Sequence, residues 1–443
     1  MKSIRFLITL ISICTFTGAF AQSTQLTLKD ALKYALDNNT AAKKAVLEID
    51  KGKFKTQEVR AQALPQITGN AGLTYNAIIG MLVADIGGQT QSIKMGQAWN
   101  SVAGVQLSQQ LFNQQVFTGL QAAKSSEAYY RLNAQLTEEQ VIEQVANNYY
   151  QVLVNRQQLN VIDTNIKNVK IVEKIIANQY QNGLAKKIDV DRINVNLTNL
   201  NTQRAEMANA ITMLENQLKF SMGMPIHTPI SLPSSELTAV NQNPILADTI
   251  NLSARTEMQL MDVQKNLLNL QRKAYVSEYY PNLSLNANYN YNSQANSFDF
   301  LKSNRNAIGF DASAIGLTLR IPIFNGFSTR SRVRQAEIEI KEFEADRLET
   351  TNALNMAYEN AKIQLRNSIN TINSQKKNAE LANEIYLSTQ NNYNNGLASL
   401  TDLLDTENAL TQAQNSYTQA LLNYKIAEIQ LIKSKGDIKT LAQ

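Results

Sequence analysis

One stretch occurs twice, and it limits what this chain can fold into more than any other feature. Residues 180–192 read Y-Q-N-G-L-A-K-K-I-D-V-D-R and residues 393–405 read Y-N-N-G-L-A-S-L-T-D-L-L-D. Tyr, Asn, Gly, Leu, Ala and Asp recur in register, from Tyr180/Tyr393 to Asp189/Asp402. The copies stand 213 residues apart in a chain of 443. A repeat this long is not a short-period solenoid and predicts a duplicated half-protein. Two further echoes keep nearly that offset. L-P-Q-I-T-G-N-A at 64–71 returns as Y-P-N-L-S-L-N-A at 280–287, 216 residues on. G-V-Q-L…L-F-N at 104–113 returns as G-L-T-L…I-F-N at 316–325, 212 residues on.

The expected organisation follows. Residues 1–21 form a signal segment, with Lys2 and Arg5 as a basic start, an apolar run over 6–16 and Ala19-Phe20-Ala21 as the cleavage site. Residues 22–222 are the first repeat: a helix, a β-hairpin over 64–112 and a long helical hairpin over 114–222. Residues 223–250 are a connector. Residues 251–435 are the second repeat, with a β-hairpin over 281–324 and a helical hairpin over 330–435, and 436–443 form a tail. The only cysteine, Cys14, lies in the signal run with no lipobox before it, so neither a lipid anchor nor a disulfide is expected. Without residues 1–21 the balance is 40 basic to 37 acidic residues, too even for a nucleic-acid partner. No second long apolar run exists, which excludes a helical inner-membrane protein.

Thr27 followed three residues on by Asp30 predicts a capped helix start, with Leu28, Leu32 and Leu36 on its apolar face. A helix from about 41 to 63 should stop at Pro65, and its counterpart from about 255 to 279 at Pro281. The period then changes to two. Leu283, Leu285, Ala287, Tyr289 and Tyr291 alternate with Ser284, Asn286, Asn288, Asn290 and Asn292. In the first half Ile67, Ala71, Leu73 and Tyr75 oppose Thr68, Asn70 and Thr74. Return strands are expected over 99–107 and 308–323, the second bulged near Ser313, with exposed loops over 76–98 and 293–306. Such alternation also suits a soluble sandwich. Uncharged Asn and Ser opposite Leu and Tyr suit a barrel with lipid outside and water inside, so Leu285 and Ala287 should face lipid and Asn288 the lumen. Four strands cannot close a barrel, and open edges are not tolerated in lipid, so several chains must share one.

Each long helical segment exceeds 100 residues without proline. Folded back once, its legs would have about 50 residues and a length of about 75 Å. Heptads mark the returning legs: Leu403, Leu410, Tyr417, Tyr424 and Leu431 with Ala413, Ala420 and Ala427, and in the first half Val190, Leu197, Arg204, Ile211 and Leu218 with Ile193, Leu200, Met207 and Leu214. The connector holds four of the seven prolines and His227, the only histidine. A lone histidine makes no metal site, and no catalytic triad, phosphate loop or cofactor motif occurs, so no enzyme, metal or cofactor is expected.

These features resemble the TolC family of outer-membrane efflux channels over essentially the whole chain after the signal segment. The motifs that carry the likeness are L-T-L-x-x-A-L-x-x-A-L at 26–36, R-T-E-M at 255–258, L-F-N at 111–113, I-P-I-F-N-G at 321–326 and the Y-x-N-G-L repeat. The resemblance implies an α+β membrane protein. Three chains would give four strands each to a 12-stranded β-barrel, continuous with a long α-helical periplasmic barrel. It implies outer-membrane lipid, a periplasmic adaptor and an inner-membrane pump as partners, in tripartite efflux or type I secretion. It places the Y-x-N-G-L stretches at the periplasmic entrance, where Asp402 and Asp405 match paired aspartates and Asp189 and Tyr393 match members of a closing network. In a trimer the aspartate pairs would form a ring of six carboxylates whose crowding raises pKa values and favours cations. The network's arginine falls on Ala398, for which Lys186, Lys187 or Arg192 would have to substitute, and the second glycine usual after F-x-G is Phe327. The competing class is a periplasmic coiled-coil structural or interaction protein. A substrate-specific porin would not need helices of this length.

Overall fold

A computed structural model describes residues 25–241, 250–298 and 307–443. The signal segment, Cys14, Pro244 and part of the second expected loop lie outside them. The first helix, α1 (Leu28–Asn38), starts as expected: the Asp30 amide donates to Thr27 Oγ1 at 3.2 Å. Asn39 ends α1 and opens α2 (Thr40–Ala61), its Oδ1 accepting the Ala41 amide at 2.7 Å. Then come β1 (Gln66–Tyr75), β2 (Met81–Ile86), β3 (Gln89–Lys94), β4 (Trp99–Phe112), α3 (Gln114–Gln181) and α4 (Lys187–Met222). The connector contributes one turn, α5 (Ser235–Thr238), and a parallel bridge between Gln25 and Ser231. The second half runs α6 (Thr256–Ser277), β5 (Asn282–Ala295), β6 (Ile308–Arg320), α7 (Ser328–Asn394) and α8 (Leu400–Lys435).

Three expectations need correction. The helical legs are unequal: α3 and α7 have 68 and 67 residues, α4 and α8 have 36 each. The turns sit at the Y-x-N-G-L stretches rather than midway, and the shorter helices α2 and α6 lie beside the longer ones. Thr118 of α3 shares a hydrogen bond with Ser277 of α6 at 3.1 Å, and Arg272 of α6 pairs with Glu337 of α7 at 2.9 Å. The first loop is no plain loop tip. β2 and β3 form a hairpin turned by Gly87 and Gly88, with φ of 66° and 84°. Two successive positive φ values make the primed turn that matches strand twist, which glycine supplies without strain. Finally, β6 pairs without a break from Ile308 to Arg320, and the irregularity lies in β4 between Gln110 and Phe112.

The described residues divide into two compact units, each drawing on both halves of the sequence. One unit holds residues 47–132 and 260–348, including the four-stranded antiparallel sheet of order β1-β4-β5-β6. Directly opposed residues share a face. The register therefore makes Ile67, Leu107, Ala287 and Ile315 one apolar row, and Thr68, Gln106 and Asn288 a polar row behind it, ending on Ala314. Asp311, opposite Tyr291, is a charge on the apolar side. The other unit holds the residues through Val46, 133–259 and 349–443. Its main core joins Leu32 of α1, Tyr149 of α3, Leu218 of α4, Tyr358 of α7 and Tyr424 of α8. The heptad leucines Leu403, Leu410 and Leu431 are buried, whereas Arg204 is exposed and pairs with Asp163. R-T-E-M is a clamp: Arg255 donates to Ser434 O at 2.6 Å, and Thr256 to Glu139 Oε1 at 2.6 Å.

Candidate functional site

The repeated stretch closes each long helix in the same way. The Gly183 amide donates to Tyr180 O at 3.0 Å and the Leu184 amide to Gln179 O at 2.8 Å. In the second copy Gly396 donates to Tyr393 O at 3.0 Å and Leu397 to Asn392 O at 2.8 Å. These paired bonds form a Schellman C-cap, which requires a left-handed residue after the last turn. Gly183 and Gly396 take that place with φ of 74° and 75°. The next residue in a Schellman cap usually packs back on its own helix. Here Leu184 and Leu397 are both 79% exposed.

The following helices are capped too. Ser399 and Asp402 form a reciprocal box: Asp402 Oδ2 accepts the Ser399 amide at 2.9 Å and its hydroxyl at 2.7 Å, while the Asp402 amide donates to Ser399 Oγ at 3.1 Å. The Lys186 amide reaches Asp189 Oδ2 at 3.4 Å, a weaker version of the same closure. The Asp402 carboxyl is consequently held below its usual range by the Ser399 hydroxyl and amide. Crowding in a trimeric ring would act in the opposite direction. Within one chain the cap governs this carboxylate, because its partners lie three residues away. Asp405, three residues on and exposed, makes no ion pair among the described residues.

The two copies meet through side chains. Ile193 and Leu197 of α4 cluster with Leu400, Leu403 and Leu404 of α8 and with Val169, Val172 and Ile176 of α3. Tyr393 packs on this cluster, and burial, with the nearby Asp189 carboxylate second, raises its phenol. Asp189 and Tyr393 are thus neighbours. Of the three cations weighed as substitutes for the arginine missing at Ala398, Arg192 reaches the second copy, its Nη1 donating to Thr401 Oγ1 at 2.5 Å.

One residue escaped the sequence reading. Glu407, 4% exposed, sits among the leucines of α8, and its Oε1 has no hydrogen-bond partner among the described residues. Burial pushes its carboxyl up to about 7. Tyr386 of α7 is pushed up to about 12 by its own burial and then by Glu407. Asn165 of α3, also buried, bonds Thr411 one turn along at 2.8 Å. A glutamate inside the run Leu403, Leu404, Leu410 was the available signal.

Comparison with known proteins decides the family. The sequence model of the family described as "Outer membrane efflux protein" matches residues 31–224 and 251–437. The chain belongs to the outer membrane efflux protein family. The outer membrane protein TolC of Vibrio cholerae is 21% identical over 349 residues, covering 76% of each chain. The solved structure of VceC from Vibrio cholerae superposes with a TM-score of 0.69 at 16% identity, covering 92% of this chain and 96% of that one. The CmeC channel of Campylobacter jejuni gives 0.74 at 16% identity, covering 93% and 85%. The efflux family member is accordingly a transport channel of the outer membrane with its helical part in the periplasm, not a soluble coiled-coil protein.

Proposed function

We propose that the chain is the outer-membrane exit duct of a tripartite efflux or type I secretion system. Three copies close one 12-stranded barrel, and their helices close a periplasmic tunnel. The observation that carries this reading is the four-stranded sheet, on which β1 and β6 each pair on one side only among the described residues. Unpaired edges cost several kcal/mol per group in hydrocarbon, and the smallest spanning barrels have about eight strands. Three copies joined edge to edge, β6 to the next β1, remove every edge. The two-fold repeat then gives each copy two strand pairs and two helical hairpins of matching lengths.

In this reading an inner-membrane pump and a periplasmic adaptor deliver cargo to the paired helix turns. Asp402, Asp405, Asp189 and Tyr393 belong to that entrance. The exposed Leu184 and Leu397 support the adaptor's share, as apolar knobs held on rigid caps. Conduction is passive, and selectivity comes from the size and charge of the passage rather than from bond chemistry. Native mass spectrometry in mild detergent is expected to give a trimer. A stable monomer would refute the shared barrel.

A further inference from the structure

The polar face of the four-stranded sheet is uncharged along its length. The register sets Thr68, Gln106 and Asn288 in one row, Asn70, Gly104 and Asn290 in the next, and Asn292 opposite Phe310 beyond them. Every even-numbered residue of 66–74, 100–110, 284–294 and 308–318 lies on this face, and none carries a charge. Arg320 stands only at the end of β6 nearest the helices. The Asn286 amide is engaged within the sheet, donating to Thr318 Oγ1 at 3.2 Å. The side chains of Asn288, Asn290 and Asn292 have no hydrogen-bond partner among the described residues. Each of these amides offers two donors and an acceptor oxygen. A side chain at position 104 would collide with the Asn290 amide, so Gly104 leaves that amide room to lie across the sheet. One aromatic ring interrupts the polar series: Phe310 is 48% exposed on the same face. In the row beyond it, Asn100 Oδ1 is enclosed without a hydrogen-bond partner among the described residues.

We propose that this face is a weak binding track for neutral, hydroxyl-rich cargo, the chemistry of oligosaccharides and glycosides. The inference rests on the barrel reading above, which turns the face toward the passage, and adds a substrate class to it. The chemistry of the face selects the occupant. A charged cargo finds no opposite charge here, and an apolar one would leave the amides unpaired. Water satisfies the amides but leaves the ring of Phe310 uncovered. A sugar ring meets both demands. Its C–H face lies against the aromatic surface, while the hydroxyls at its rim donate to and accept from the amides. Asn288, Asn290 and Asn292 recur at every second residue, roughly 7 Å apart. That spacing gives an extended chain successive partners rather than one tight site, which suits passage.

The test is single-channel recording of the full-length protein in planar bilayers with maltohexaose on both sides. Polyethylene glycol of equal hydrodynamic size controls for simple obstruction. Maltohexaose should interrupt the current at concentrations where the glycol does not. Phe310→Ala should raise the half-blocking concentration about tenfold, and Asn288→Ala with Asn290→Ala should do likewise. Leu317→Ala, on the opposite face, should leave it unchanged. Phe310→Leu keeps apolar bulk without the ring; it should weaken block as alanine does, and it serves if alanine disturbs folding. Equal block by sugar and glycol would overturn the inference and leave the duct standing. So would wild-type block in both Phe310 variants. Block lost in Leu317→Ala but kept in the Phe310 variants would turn the other face to the passage and overturn the track. Absence of any ion-conducting pore would overturn the barrel reading itself.

Discussion

Replacing Glu407 with Gln should make the start of α8 more stable at alkaline pH and change it little in acid. In an opened chain this carboxyl titrates near its ordinary value of 4.5, whereas packed among Leu403, Leu404 and Leu410 it titrates at about 7. Between those values the packed state keeps a proton that the open state releases. Stability therefore falls as pH rises from about 4.5 to 7, and the full penalty stands above 7. At ~1.36 kcal/mol per pH unit the gap corresponds to roughly 3 kcal/mol, on the order of a few hundredfold in an opening equilibrium. Burial alone sets this shift, and Tyr386, which Glu407 raises in turn, is neutral throughout this range. Hydrogen exchange of the amides of 400–410 in detergent-solubilised full-length protein, corrected for intrinsic exchange, reads this opening directly. Wild-type protein should be markedly better protected at pH 5 than at pH 8, and Glu407→Gln equally protected at both. Identical pH dependence in the two proteins would mean that the carboxylate finds water or a cation, and the reasoning would fail.

Arg at Leu285 or Ala287 should lower barrel stability by roughly 2–4 kcal/mol near the midplane, whereas Asn288→Arg is tolerated, as read by trimer yield on folding into lipid. Asp405→Asn should weaken cation selectivity and trivalent-cation block in planar bilayers without disturbing the helix. Asp402→Asn should weaken both and also fray the start of α8, because Asp402 completes the cap with Ser399; single-channel recordings with hydrogen exchange separate the two effects. Gly396→Ala should cost on the order of 1 kcal/mol at the turn, since alanine is strained at φ of 75°. Equal protection of residues 390–400 in both proteins would contradict that.

The strand faces were legible because their signal is local. Alternation over ten residues decides which side chains share a side, and the register of β1, β4, β5 and β6 places those sides together. The leg lengths were legible too, but misread. Asn182-Gly183 and Asn395-Gly396 already mark where the long helices must stop, so equal division of each segment ignored a cap present in the sequence. Gly87-Gly88 likewise announced the β2–β3 hairpin. At the entrance, the Ser399–Asp402 spacing is a readable capping box, and reading Asp402 only as a ring charge missed what holds its carboxylate.

The sequence by itself determined everything that depends on partners within a few residues: the Thr27 cap, the Schellman turns, the glycine turns and the alternation of the strands. Tertiary structure decided which charges are buried. Arg204 and Glu407 both stand among heptad leucines, yet Arg204 reaches solvent beside Asp163 and Glu407 is enclosed under Tyr386. The difference comes from elements far away in the chain. α3 and α7 cover one position and leave the other open, and desolvation depends on that cover rather than on the neighbours in sequence.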